Sequence, residues 1–168
     1  MATKKKVVLP DKERVHSALS KALADALAAM ASVAEDTRKG ATHEENRSEG
    51  DKDMRATEQS YVARGQAMRT EQLAEEASRF TTVPVRRFEP DAKIGIGCLV
   101  RARVDDEPRV FFVSAQGGGT ELVIDGLAIT VLTPASPAGR AITGRQAGDE
   151  VELLVAGKTR LWEIEEIS

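Results

Sequence analysis

Five carboxylates crowd one fourteen-residue stretch, GATHEENRSEGDKD, running from Gly40 to Asp53: Glu44, Glu45, Glu49, Asp51 and Asp53. Glu35 and Asp36 lie just before it, and His43 lies within it. Oxygen-rich clusters of this kind suit hard divalent cations. Mg2+ in particular often takes only one or two carboxylates, completing its shell with water and substrate phosphates. A pair such as Glu44 and Glu45, with Asp51 or Asp53 in support, can therefore lend ligands to a metal held mainly by another protein's active site. The plainer reading is a solvated, capped turn between two helices, and composition alone favours it.

Other chemistry finds less material. A Ser/His/Asp or Cys/His centre needs a histidine close to a nucleophile. The chain has two histidines, His16 and His43, both in its helix-rich first half, and one cysteine, Cys98, in its second. One cysteine excludes an intramolecular disulfide and a zinc cluster. QGGGTE (116–121) has three glycines but no following Lys-Ser/Thr and no strand–loop–helix setting, so it reads as a hairpin turn. GIGCLV (95–100) precedes no helix and is not a dinucleotide fingerprint. Net charge is −3 and aromatic residues are 4%, which argues against bulk attraction to nucleic acid and against a base-stacking surface. With 41% hydrophobic and 30% charged residues, the 168-residue chain reads as globular rather than disordered. No uninterrupted apolar run approaches the ~20 residues of a membrane span, and VVLP after the basic start is too short for a signal-peptide core. The expected location is the cytoplasm.

Two long elements must carry the acidic stretch. Residues 11–80 contain no proline and are rich in Ala, Glu, Lys, Arg, Gln and Met, the strong helix formers. Pro10-Asp11 supplies a helix start. Leu19, Leu23, Ala26, Met30 and Val33 repeat at coiled-coil spacing. A weaker stripe follows: Tyr61, Gly65, Met68, Leu73, Ala77 and Phe80. An antiparallel helical hairpin folding near Glu45 would bury both stripes and give arms of roughly 50 Å. If the chain instead folds at EGDKD (49–53), the arms are unequal. Pro84 and Pro90 break helices, so 81–93 is the expected linker between a hairpin at 1–80 and a second domain at 94–168. There, short β-type runs at 98–104, 109–115, 121–126, 127–136, 150–156 and 159–167, several of them alternating, predict strands. Ser136-Pro137 and Gly144 bracket a short helix. The fold class is α+β: a helical hairpin, then a small antiparallel sheet with one helix.

In LTPASPAGRAITGRQAGDEVEL (132–153), Ser136-Pro137, Gly139-Arg140-Ala141, Gly144-Arg145 and Gly148-Asp149 together resemble the GreA/GreB family of bacterial transcription elongation factors, as does IGIGCLVRARV (94–104). The resemblance covers roughly 94–168. GATHEEN (40–46) is similar to the family's coiled-coil tip, Gly-Asp-x-x-Glu-Asn: Glu45-Asn46 match, Thr42 stands where the tip aspartate belongs, and Gly40 lies one residue too far away.

The resemblance implies an FKBP-like sheet domain, without prolyl isomerase activity, that docks on RNA polymerase. It implies that the Ser136, Pro137 and Arg140 segment meets that partner and that the hairpin enters the polymerase's secondary channel. In cleavage-competent members, tip acids help hold a second Mg2+ shared with the polymerase, which then hydrolyses the 3′ end of backtracked RNA. Such a protein assists catalysis and is not itself an enzyme. Glu44 and Glu45 are the candidate tip acids, and Glu44, Glu45, Asp51 and Asp53 the candidate metal ligands. Loss of the tip aspartate leaves a second outcome open: a non-cleaving regulator occupying the channel. A third, from another class, is a helical adaptor whose tip charges only solubilise it.

Overall fold

The structure is a computed structural model that describes residues 7–44 and 52–168. Helix α1 is Lys12–Glu44 and α2 is Lys52–Thr81; strands follow at β1 Leu99–Val104, β2 Glu107–Val113, β3 Glu121–Ile124 and β4 Leu127–Leu132, then helix α3 Pro137–Ile142 and strands β5 Glu150–Val155 and β6 Lys158–Ile167. The chain is an α+β protein. It divides into two compact units: one joins the start of the chain through Leu19 to Val83–Ser168, and the other is Ser20–Thr82.

The six strands form one sheet, ordered β3-β4-β2-β1-β6-β5. Three antiparallel hairpins build it: β1–β2, β3–β4 and β5–β6. Each closes on two residues with positive φ: Asp105-Asp106, Asp125-Gly126 and Ala156-Gly157. That is the turn geometry whose twist matches the flanking strands. The sheet is mixed rather than purely antiparallel, because β2 and β4 run parallel, with Val110 opposite Ile129 and Val113 opposite Leu132. Burial explains the order. β4 buries Ile129 and Val131 on one face and Leu132 on the other, and it is paired along both edges, to β2 and to β3. β3 buries only Leu122 and Ile124 while Val123 is exposed, which suits an edge. Since β2 and β3 are therefore not neighbours, Gln116–Gly119 is not a hairpin turn but a return loop, with Gly117 and Gly119 at φ 71° and 86°.

One sheet face packs Val100, Ala102, Val104, Phe111, Val113, Val151, Leu153, Trp162 and Ile164 with Ile142 of α3. Phe111 and Trp162 stack at 4.6 Å. Cys98 is fully buried in this core, and burial pushes its thiol up to about 11, so it is a packing residue and not a nucleophile. The other face buries Leu99, Val110, Phe112, Leu122, Ile124, Ile129 and Val131. The element of the same unit available to cover them is the start of α1, whose Val15 and Leu19 have no exposed surface. Asp11 caps this helix, its Oδ1 accepting the Glu13 N–H at 3.2 Å. Arg14 grips Asp125 of the β3–β4 turn with two hydrogen bonds, 2.5 and 2.8 Å, and holds that carboxyl below its ordinary range. Lys12 donates to the Arg86 carbonyl at 2.5 Å and lies 4.5 Å from the centre of the Phe88 ring. Burial lowers its pKa.

In the Ser20–Thr82 unit the two apolar stripes are buried only at their ends far from the acidic segment. Leu23 and Phe80 are buried, Met30, Leu73 and Ala77 half-buried, and Ala26, Val33, Tyr61 and Met68 exposed. Alanine supplies much of the apolarity of α1. By length and composition alone, Lys12–Thr37 is apolar enough to cross a membrane. Within 15–33 the charged residues are Lys21 and Asp25, which pair at 3.1 Å. Further pairs four residues apart, Glu35–Lys39 and Glu75–Arg79, add a few tenths of a kcal/mol each.

Ala156 holds φ at 51° without the glycine or asparagine that such a position favours. Ala156→Gly should therefore raise stability by roughly 0.5–1 kcal/mol, seen as a higher urea midpoint with an unchanged slope.

Candidate functional site

The acidic stretch is organised by where its two helices stop. α1 continues without a break through Gly40, Ala41, Thr42 and His43 to Glu44, and α2 starts at Lys52. A single glycine costs a helix only about 1 kcal/mol relative to alanine, and its neighbours here are good helix formers. Glu44 is thus the last residue of α1, and Asp53 the second residue of α2. The connector is 45–51, and the expectations for Glu45, Glu49 and Asp51 lie outside the described residues. Both expected folding points, near Glu45 and at EGDKD, fall largely in this interval outside the described residues. Thr42, aligned with the family's tip aspartate, falls within α1.

The helix ends differ electrostatically. The C-terminal end of a helix carries partial negative charge and the N-terminal end partial positive charge. Asp53 at the start of α2 sits where a carboxylate is favoured. Glu44 closes α1 where a cation is favoured, and Glu45 follows it in sequence. The C-terminal end of α1 is therefore the cation-attracting end of that helix. Among the described residues no group of three or more His, Cys, Asp or Glu side chains is placed to hold a metal ion.

The second candidate region is α3. Ser136 caps it, accepting the Gly139 N–H on Oγ at 3.0 Å and donating to the Thr133 carbonyl at 2.7 Å. Both functions of the hydroxyl are thus used within its own turn. Pro137 opens the helix, where a missing N–H costs nothing. Arg140 is exposed, and one guanidinium N–H donates to the Ala135 carbonyl at 2.9 Å. Thr143 Oγ1 closes back on the Gly139 carbonyl at 2.6 Å, and Gly144, at φ 82°, donates its N–H to Ile94. Of the three residues expected to meet a partner, Ser136 is spent on capping, whereas Pro137 and Arg140 face solvent.

Sequence reasoning missed a charged network on the sheet. Arg101 and Arg103 of β1 interlock with Glu163, Glu165 and Glu166 of β6. Glu165 bridges Arg101 Nε at 3.0 Å and Arg103 Nη2 at 2.6 Å, and Glu166 takes Arg101 Nη1 at 2.6 Å. The period-two spacing of arginines in RAR and glutamates in EIE was the available signal.

These elements define the class: an α+β protein with a long two-helix unit and a mixed six-stranded sheet unit carrying one short capped helix. Among solved structures, the chain is similar to GreA factor homolog 1 (Gfh1) of Thermus thermophilus, at 17% identity over 89% of this chain and 94% of that one, with a TM-score of 0.37. It is similar also to Gfh1 of Thermus aquaticus, at 19% identity over 90% and 94%, with a TM-score of 0.37. No protein-family model and no curated protein matches the chain.

Proposed function

We propose that this chain is a Gre-type transcription factor that acts on RNA polymerase, with its two-helix unit reaching into the secondary channel and its acidic connector meeting the active centre. The observation that carries the reading is the position of the helix ends. Two helices of 33 and 30 residues stop on either side of 45–51, the sequence interval that holds Glu45, Glu49 and Asp51, with Glu44 and Asp53 in the adjoining helix ends. The sheet unit adds the capped Ser-Pro helix on which the sequence resemblance rests.

In this reading the chain is not itself an enzyme. The polymerase supplies the chemistry on backtracked RNA. Glu44 and Glu45, backed by Asp51 or Asp53, would supply oxygen ligands to a Mg2+ ion held mainly by the polymerase. The chain is proposed to work in the bacterial cytoplasm, with Pro137 and Arg140 on the surface that meets the polymerase.

The test is a transcript-cleavage assay on stalled complexes of the cognate core polymerase with Mg2+, comparing the natural chain with Glu44→Ala/Glu45→Ala. The expected result is faster shortening of the 3′ end with the natural chain and a rate near that of polymerase alone with the variant. Binding to the polymerase without acceleration by either chain would replace cleavage with channel occupancy. No binding to core polymerase removes both.

A further inference from the structure

The outer face of β1, β6 and β5, opposite the Trp162 core, carries unbalanced charge. Period-two alternation and the register put Arg101, Arg103, Glu150, Glu152, Glu163, Glu165 and Glu166 on this one face. Five carboxylates against two guanidinium groups leave it at −3. Glu150 stands directly opposite Glu163 across the β5–β6 pair, and like charges so placed repel. The two arginines are already engaged: Arg101 by Glu165 and Glu166, and Arg103 by Glu165, with Glu163 at 3.8 Å. Among the described residues, Glu150 and Glu152 have no cationic partner. Leu154 and Leu161, exposed at 71% and 47%, lie on the same face. A strand face with opposed acids and bare leucines is incompletely covered.

The chain enters this face at its own beginning. The Val7 carbonyl accepts a hydrogen bond from Arg101 Nη1 at 2.5 Å, on the same nitrogen that pairs with Glu166. Immediately before Val7 come Lys4, Lys5 and Lys6. In sequence, three positive charges thus adjoin a residue bonded to a face three short of neutrality. Reach is sufficient. From Arg101, Glu150 lies two residues along and two strands across, about 12 Å at ~3.3 Å per residue and ~4.8 Å per strand. The backbone from Val7 to Lys4 spans up to about 10 Å before any side chain is added.

We propose that Lys4–Lys6 dock on the outer face of β6 and β5, pairing with Glu150, Glu152 and Glu163 and laying their methylene stems over Leu154 and Leu161. Tethering favours this occupant over a basic segment of another protein, since a short tether holds a ligand at an effective concentration of order millimolar. Lysine side chains combine an apolar stem with a charged head, as this mixed face requires. The proposal concerns the protein alone and stands or falls independently of any polymerase.

The test is zero-length carbodiimide crosslinking of the full chain, mapped by mass spectrometry, with isotope-labelled and unlabelled chains mixed. The expected result is crosslinks from Lys4–Lys6 to Glu150, Glu152 and Glu163 within single chains, lost near 1 M salt, where the screening length falls to ~3 Å. A second measurement is the methyl NMR spectrum of a Lys4→Gln/Lys5→Gln/Lys6→Gln variant. Leu154 and Leu161 should shift, while Val123, exposed on the far edge strand, should not. Crosslinks that join only differently labelled chains, crosslinks that fall on acids of α1 and α2 instead, or unmoved leucine methyls would overturn the proposal.

Discussion

Gly139→Ala should cost the sheet unit about 3–5 kcal/mol, summing overpacking with the loss of a cap and its hydrogen bonds. A Cβ at this position would stand 1.9 Å from the Thr133 carbonyl oxygen, 2.6 Å from its carbon and 2.9 Å from Ser136 Oγ. The first two are backbone atoms, so no side chain can swing aside. Shifting the Thr133 carbonyl would release two donors at once, the Ser136 N–H at 2.9 Å and the Ser136 hydroxyl at 2.7 Å. The cap on α3 would loosen, and with it Ile142, which is fully buried in the core. Against a total stability of 5–15 kcal/mol for a typical domain, this is a large fraction. Urea unfolding followed by the fluorescence of Trp162, the single tryptophan and part of the same core, measures it. Ala141→Gly on the same helix should cost less, about 1–2 kcal/mol, from helix propensity and the loss of a half-buried methyl. If Gly139→Ala unfolds within 1 kcal/mol of the natural chain, the close approach is not what requires glycine here.

This glycine also shows what a sequence can convey. The S-P-x-G-R run carried the family resemblance, and its local chemistry was readable in advance: Ser136 as cap, Pro137 in the first turn, Gly144 past the end. Each depends on atoms within a few residues. All six strands were likewise legible as short β-type runs, several of them alternating, their ends displaced by no more than a few residues. The parallel pairing of β2 with β4 was not, because it depends on comparing the burial of β3 and β4 across the whole sheet. The same limit applies to α1. Val15 and Leu19 have helical spacing whether they face a second helix or a sheet. Only the fold assigns the start of α1 to the unit that contains the strands. The coiled-coil stripe was over-read at its far end, where Val33, Tyr61 and Met68 remain exposed.

The candidate site was legible in composition and less so in position. The acids were evident, and an arm running through Gly40 toward Glu45 agrees with α1, which is helical to Glu44. A lone glycine among alanine, lysine, threonine and glutamate is too weak a signal to end a helix of 33 residues. The arginine–glutamate network was overlooked for a different reason. Charged residues on alternate strand positions read as solvent-facing, and nothing local reveals that a neighbouring strand offers the opposite charge.

That network supports the second large effect. Glu165→Ala should destabilise the chain by roughly 2–4 kcal/mol, as removal of one partner from a largely buried ion network does. The Arg101 side chain is only 11% exposed and Arg103 23%, and Glu165 itself, at 20%, holds both. Without it, Arg103 keeps only Glu163 at 3.8 Å, while Arg101 retains Glu166 and the Val7 carbonyl. The unpaired guanidinium of Arg103 carries most of the cost. Glu166→Ala should cost less than about 1 kcal/mol, since that carboxylate is 45% exposed and its loss is compensated by water. Salt near 1 M should not mimic the Glu165 variant, because partly buried pairs are screened far less than exposed ones. Removing both charges together tests the cause. Arg103→Met/Glu165→Met should recover at least half of the loss, because the penalty comes from an orphaned buried charge rather than from a missing attraction. If the double variant is no more stable than Glu165→Ala, the glutamate contributes by packing, and the network is incidental to the fold.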